Sequence, residues 1–99
     1  MMYQVPYYAV IFTSTIKNDE GYAQMAQAME QLVKKQKGFL GYDSAREAIG
    51  ITVSYWSDLE SIKAWRNHPE HGIAMQLGKE KWYDHYSLRV CKVEREYEF

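Results

Sequence analysis

The sequence predicts an α+β domain of the ferredoxin-like type: a split βαβ arrangement with a four-stranded antiparallel sheet and its helices on one face. Three observations carry this. Segments of strand and helix periodicity alternate in the order strand, helix, strand, strand, helix, strand. The first strand is apolar on both faces, so helices on one side would leave the other needing a cover. Finally, the stretch from Trp56 to His71, W S D L E S I K A W R N H P E H, compresses a strand end, a capped helix and a helix break into one segment.

Residues 6–15 (P Y Y A V I F T S T) are rich in β-branched and aromatic side chains and form the first strand. Tyr8, Val10 and Phe12 share one face, and Tyr7, Ala9 and Ile11 the other. Asn18 or Asp19 is placed to cap a helix whose buried stripe is Tyr22, Met25, Ala26, Met29, Leu32 and Val33, with Gly38 as its stop. The methionines read as adaptable core filler rather than ligands. Residues 39–47 and 51–56 make a hairpin, with Gly50 available for a positive φ. Ser57 and Glu60 have the spacing of a capping box, and His68–Pro69 interrupts the helix that follows. A second helical piece spans residues 70–81, with Ile73, Ala74 and Leu77 on one face. The last strand covers residues 83–97, with Tyr86, Leu88 and Val90 on one side and Arg89, Cys91, Val93 and Arg95 on the other. Two helical layers cover one face of such a sheet, so the apolar second face implies a homodimer in which two sheets pack face to face.

Composition narrows the classes of function. Ninety-nine residues suffice for one domain and one core, but a deep site is easier to build with a partner subunit. The net charge of −1 with both signs intermixed gives no footprint for nucleic acid. Lys34, Lys35 and Lys37 read as the solvated end of a helix. A single cysteine, Cys91, fits a reducing compartment; with no apolar run long enough for a membrane span and no signal-peptide plan, a cytoplasmic location is expected.

The chemistry-bearing residues cluster around the helix break. Trp65 is either a core indole or the aromatic wall of a pocket for a flat ligand. His68 caps the second piece or acts on a ligand; His71, one turn inside, faces solvent or the gap between helix and sheet. Histidine is the side chain suited to proton transfer near neutral pH. The spacing H-x-x-H lacks the further ligands of a metal site, and His85 is remote in sequence. Tyr83 and Tyr86 either orient a phenolic or carbonyl substrate or form a hydrogen-bonded dimer rim. Arg46 and Glu47 read as an exposed ion pair. No nucleotide loop or nucleophile elbow is present.

The segments G F L G Y D S A R E, I T V S Y W S D L E S I K A W R N H P E H and W Y D H Y S L R V resemble the antibiotic biosynthesis monooxygenase family of dimeric α/β barrels, over nearly the whole chain. The resemblance implies a ferredoxin-like dimer with a ligand pocket between the helices and the sheet. It also implies a cofactor-independent oxygenase of a phenol or quinol, in which the deprotonated substrate itself gives electrons to molecular oxygen in a dry pocket. On that pattern Trp65 walls the pocket, His71 or His68 relays the proton and Tyr86 orients the substrate. A second branch of the resemblance degrades haem, using an Asn on the first strand, a Trp on the second helix and a His ten positions beyond it. Trp65 matches the Trp, but the first strand has no Asn and position 75 is Met, leaving His71 one turn earlier as the substitute. A third reading is non-enzymatic: a small-ligand-binding dimer on the same fold.

Overall fold

The computed structural model describes residues 3–99. Its elements run β1 (Tyr7–Ile16), α1 (Tyr22–Val33), β2 (Phe39–Arg46), β3 (Gly50–Trp56), α2 (Leu59–Arg66), α3 (Pro69–Leu77), a π-helical turn (Gly78–Trp82) and β4 (Tyr83–Val93). The sheet order is β2-β3-β1-β4, with every neighbouring pair antiparallel. This is the predicted split βαβ topology, with the second helix divided in two. Its shortest extent, 19 Å, leaves room for one sheet and one helical layer.

Register assigns the faces, because directly opposed residues in antiparallel strands point the same way. Tyr8, Val10 and Phe12 lie opposite Trp56, Ser54 and Thr52 of β3 and Lys92, Val90 and Leu88 of β4. Phe12 meets Tyr83 edge-on at 5.4 Å, and Tyr83 meets Tyr22 of α1 at 5.8 Å, so this is the helix-covered side. Tyr7, Ala9 and Ile11 share the other face with Tyr55, Val53, Val93, Cys91 and Arg89. At one end of that open face, Tyr3 and Glu96 fold over Tyr7: Glu96 accepts from the Tyr3 amide at 2.9 Å and the Tyr7 hydroxyl at 2.5 Å. Tyr3, Tyr7 and Tyr55 pack there with centroids 5.3 to 6.1 Å apart. The adjoining cleft of about 320 Å³ is lined by these tyrosines and by Asp43, Glu96 and Glu98. Tyr55 donates to Asp43 at 2.7 Å, and that bond, with burial, pushes its hydroxyl pKa up to about 12.

Few side chains are wholly enclosed. Trp56, 1% exposed, is the largest of them and packs edge-on against Phe39 at 5.3 Å. Trp82 donates its indole N–H to the Glu20 carbonyl at 2.7 Å and holds the start of α1 against the turn before β4. No side chain of α1 is fully buried, and Ala26 of the expected stripe is exposed.

Several local expectations are corrected. The N-cap of α2 is Asp58, not Ser57: its carboxylate accepts from the Ser61 amide at 2.7 Å, which lowers its pKa, while Ser57 Oγ donates to Asp58. A carboxylate outcompetes a hydroxyl for that amide. α1 is capped by neither Asn18 nor Asp19. Gly21, at φ 78°, precedes it, and Asn18 bonds the Glu20 amide in a preceding turn. α1 ends at Val33, so Gly38 is not its immediate stop. Gly38, at φ 82°, brings the loop so close to α2 that an added Cβ would overlap Ser61 Oγ. Gly50 does not take a positive φ; it leaves space for the Arg46 guanidinium. Arg46 is not engaged with Glu47. It donates to Ser14 Oγ and lies 5.7 Å from the centre of the Tyr22 ring. The helical piece expected to reach residue 81 ends at Leu77 and widens into the π turn, and β4 ends at Val93, leaving Arg95 beyond it.

Candidate functional site

The site is built by the break between α2 and α3. Residues before a proline are driven out of the α conformation, and His68 accordingly has φ −65° and ψ 129°. Its ring Nδ1 accepts from the Glu70 amide at 3.2 Å, so His68 is the N-cap of α3, as one of its two expected roles required. Pro69 occupies the first helical position, where its missing N–H costs nothing. The chain therefore turns sharply and α3 folds back on the end of α2. Two side chains of the second piece then reach the last turn of the first.

The structure brings Trp65, His68 and His71 together. The His71 ring stacks on the Trp65 indole with centroids 4.2 Å apart and planes 12° apart; His68 lies 5.6 Å away at 48°. His71 Nδ1 lies 3.1 Å from the Trp65 carbonyl oxygen, which also accepts from the His68 amide at 3.1 Å. Both lone pairs of a carbonyl orphaned at a helix end are thus used. His71 is half-buried. Burial lowers its pKa, proximity to His68 adds to the effect, and the Trp65 carbonyl opposes it. Neutral imidazole is therefore the resting form in neutral solution.

Tyr86 belongs to a second cluster. On the helix-covered face, opposite Ser14, its ring packs 5.3 Å from Phe12 and 5.7 Å from Tyr83. Tyr83 donates to the Tyr22 hydroxyl at 3.3 Å, and its own pKa is raised by burial first and by that bond second. Gly78 permits this arrangement, since an added Cβ would come within 2.7 Å of the Tyr83 ring. Beyond Tyr86 on the same face of β4, Leu88 and Val90 remain 52% and 47% exposed, so the helices leave this flank of their own side uncovered. Two exposed apolar side chains therefore flank the phenol cluster along β4. The sequence puts Tyr86, Leu88 and Val90 on one side of the last strand without foretelling this exposure, because alternation reports which face a residue shares and not how far a helix reaches across it. Arg46 and Tyr22 were also missed as site neighbours. The signal was a glycine opposite an arginine in a hairpin. Among the described residues no cluster of three or more His, Cys, Asp or Glu has a metal-holding arrangement.

Solved structures share this architecture. SnoaB from Streptomyces nogalater, described as a cofactor-independent oxygenase, superimposes with a TM-score of 0.79 at 9% identity over 93% of this chain and 97% of its own. Rv0793 from Mycobacterium tuberculosis gives 0.80 at 14% identity over 93% and 99%. These likenesses establish the ferredoxin-like fold class. The sequence of residues 8–77 matches the antibiotic biosynthesis monooxygenase family, and the chain belongs to it. The match ends with α3, so the Trp82 to Val90 segment lies outside it. YqjZ of Bacillus subtilis (strain 168), an uncharacterised protein, is 50% identical over 94 residues, covering 92% of this chain and 82% of its own.

Proposed function

We propose that this chain is a cofactor-independent monooxygenase of a small electron-rich aromatic, a phenol or quinol, acting as a homodimer. The observation that carries the reading is the stacked Trp65–His71 pair with His68 beside it, at the break between α2 and α3. Family membership and the likeness to SnoaB support it. Trp65 walls the ring of the substrate, a histidine takes the phenolic proton, and Tyr86 orients the oxygen substituents. The deprotonated ring then supplies an electron to molecular oxygen. The apolar walls disfavour water and keep the anion electron-rich. The open face, with Ile11, Val53 and Cys91 half-exposed, supports the second copy as its cover. Oxygen uptake by metal-free protein across a panel of hydroquinones is the test. Uptake above the protein-free rate is expected, and its absence across the panel overturns the reading.

One observation favours a second reading, haem binding. His71 donates Nδ1–H to a backbone carbonyl, the bond that commonly holds a metal-ligating imidazole in orientation and leaves its Nε2 lone pair free. His71 Nε2 is the atom that would hold haem iron, with Met75 one turn along α3. A saturable Soret shift on haemin titration, lost in His71→Ala, would establish it; no shift would end it.

A further inference from the structure

Given the homodimer put forward above, on which the inference rests, the strand register also bears on how the two sheets meet. On the open face, Asp43 of β2 lies opposite Val53, Val53 opposite Ile11, and Ile11 opposite Arg89 of β4. One row across the sheet thus reads acid, valine, isoleucine, base. The neighbouring rows, from Gly41 to Cys91 and from Ala45 to Ser87, carry no acidic or basic side chain. Apart from His85 at the far end of β4, Asp43 and Arg89 are the acidic and basic groups that the register puts on this face among the described strand residues. Both are exposed, and each is tied to a neighbour on the same face: Tyr55 donates to Asp43 at 2.7 Å, and Arg89 donates to Ser87 Oγ at 3.1 Å. Three strand intervals, about 14 Å, separate the two edges, so the charges cannot pair within one chain.

We infer that a second copy seats on this face about a two-fold axis parallel to the strands, between β1 and β3, so that Asp43 of each chain pairs with Arg89 of the other. A two-fold axis that brings two sheets face to face lies in the plane between them. Run along the strands, it exchanges the β2 edge of one copy for the β4 edge of its partner. Opposite charges then meet twice, and Val53 meets Ile11 at the centre. Run across the strands along this row, it would set Asp43 over Asp43 and Arg89 over Arg89, two like-charge contacts. The first arrangement also keeps the strand directions of the two sheets aligned, the packing that twisted sheets adopt at a separation of about 10 Å. An arginine and an aspartate together bridge that gap. The apolar centre supplies the bulk of the attraction, while the charged pairs at its edges fix the register and reject other pairings.

Sedimentation velocity of the full chain at low salt tests this. Arg89→Asp and Asp43→Arg each create two like-charge contacts per dimer, and each is expected to raise the dimer dissociation constant at least about a hundredfold over the parent. The chain carrying both substitutions regains opposite pairs and is expected to return to within about tenfold of the parent. An equimolar mixture of the two single variants is expected to associate likewise, because both pairs of the mixed dimer are again of opposite sign. Lys92→Glu reverses a charge on the helix-covered face of β4 and is expected to leave association unchanged, which separates pairing from net charge. Single reversals that associate like the parent overturn the inference, as does weakening that neither the double variant nor the mixture restores. Weakening by Lys92→Glu as large as that by Arg89→Asp also overturns it. In each of these cases a dimeric parent leaves the homodimer reading intact, whereas a parent that is monomeric at every concentration overturns both.

Discussion

Two glycines show how one residue decides local stability. Gly38 combines φ 82° with contact against Ser61 of α2, so Gly38→Ala meets both left-handed strain and an unyielding neighbour. The conformational part alone costs about 1–2 kcal/mol. Gly50 has no positive φ, and the atoms an added Cβ would meet are the far end of Arg46, a flexible side chain. Gly50→Ala is therefore expected to unfold at least about 5 °C above Gly38→Ala, a difference that thermal melts of a domain this size resolve. His71 provides a second prediction. Its folded-state pKa lies below the unfolded value, so the unfolded chain binds more protons between the two. The stability it contributes is complete above the unfolded pKa near 6.5 and is lost as the pH falls towards the lower folded value. Urea midpoints measured across that window should decline with acidity in the parent, and decline less in His71→Asn.

At the scale of elements, what was legible was the order and the period. Strand alternation placed Tyr8, Val10 and Phe12 on one face without saying which face the helices cover, and the His68–Pro69 break divided the second helix where a proline and its predecessor require it. Local competition was not legible. Ser57 and Asp58 are both good caps, and only the geometry of the chain leaving β3 decides that the carboxylate reaches the Ser61 amide. The candidate site divides in the same way. Trp65, His68 and His71 are close in sequence, and their clustering follows from one helix break. Tyr86 joins Phe12 and Tyr83 through strand register, and Arg46 reaches Ser14 and Tyr22 across the hairpin. Such long-range placements depend on pairing that local patterns do not encode.

The proposed homodimeric oxygenase gives the two faces of the sheet separate uses, and substitutions on them should separate. Ile11 lies on the open face and Leu88 on the helix-covered face of the same sheet. Ile11→Lys would bury a charge in the sheet-to-sheet interface proposed for the homodimer and is expected to give a monomer in sedimentation experiments at micromolar concentration where the parent sediments as a dimer. Leu88→Lys is expected to leave the association state unchanged and to abolish binding of aromatic ligands. The reverse assignment of the two effects would mean that the faces have been exchanged. The expectation of a second copy comes from the apolar first strand, because an antiparallel strand apolar on both faces asks for a cover on each.

The absence of any fully buried side chain on α1 has a kinetic consequence. Its attachment includes the Glu20 carbonyl on Trp82 and Tyr22 against Trp82 and Tyr83, whereas the exposed Glu30–Lys34 pair lies within the helix and its cap and ties it to nothing else. A helix held this way opens locally without unfolding the sheet. Its amide protons should exchange with deuterium well before those of β1 and β3, which lie at the centre of the sheet. A ligand seated beneath the helical layer would then slow exchange at α1 selectively, so a substrate could be recognised by hydrogen exchange without being turned over.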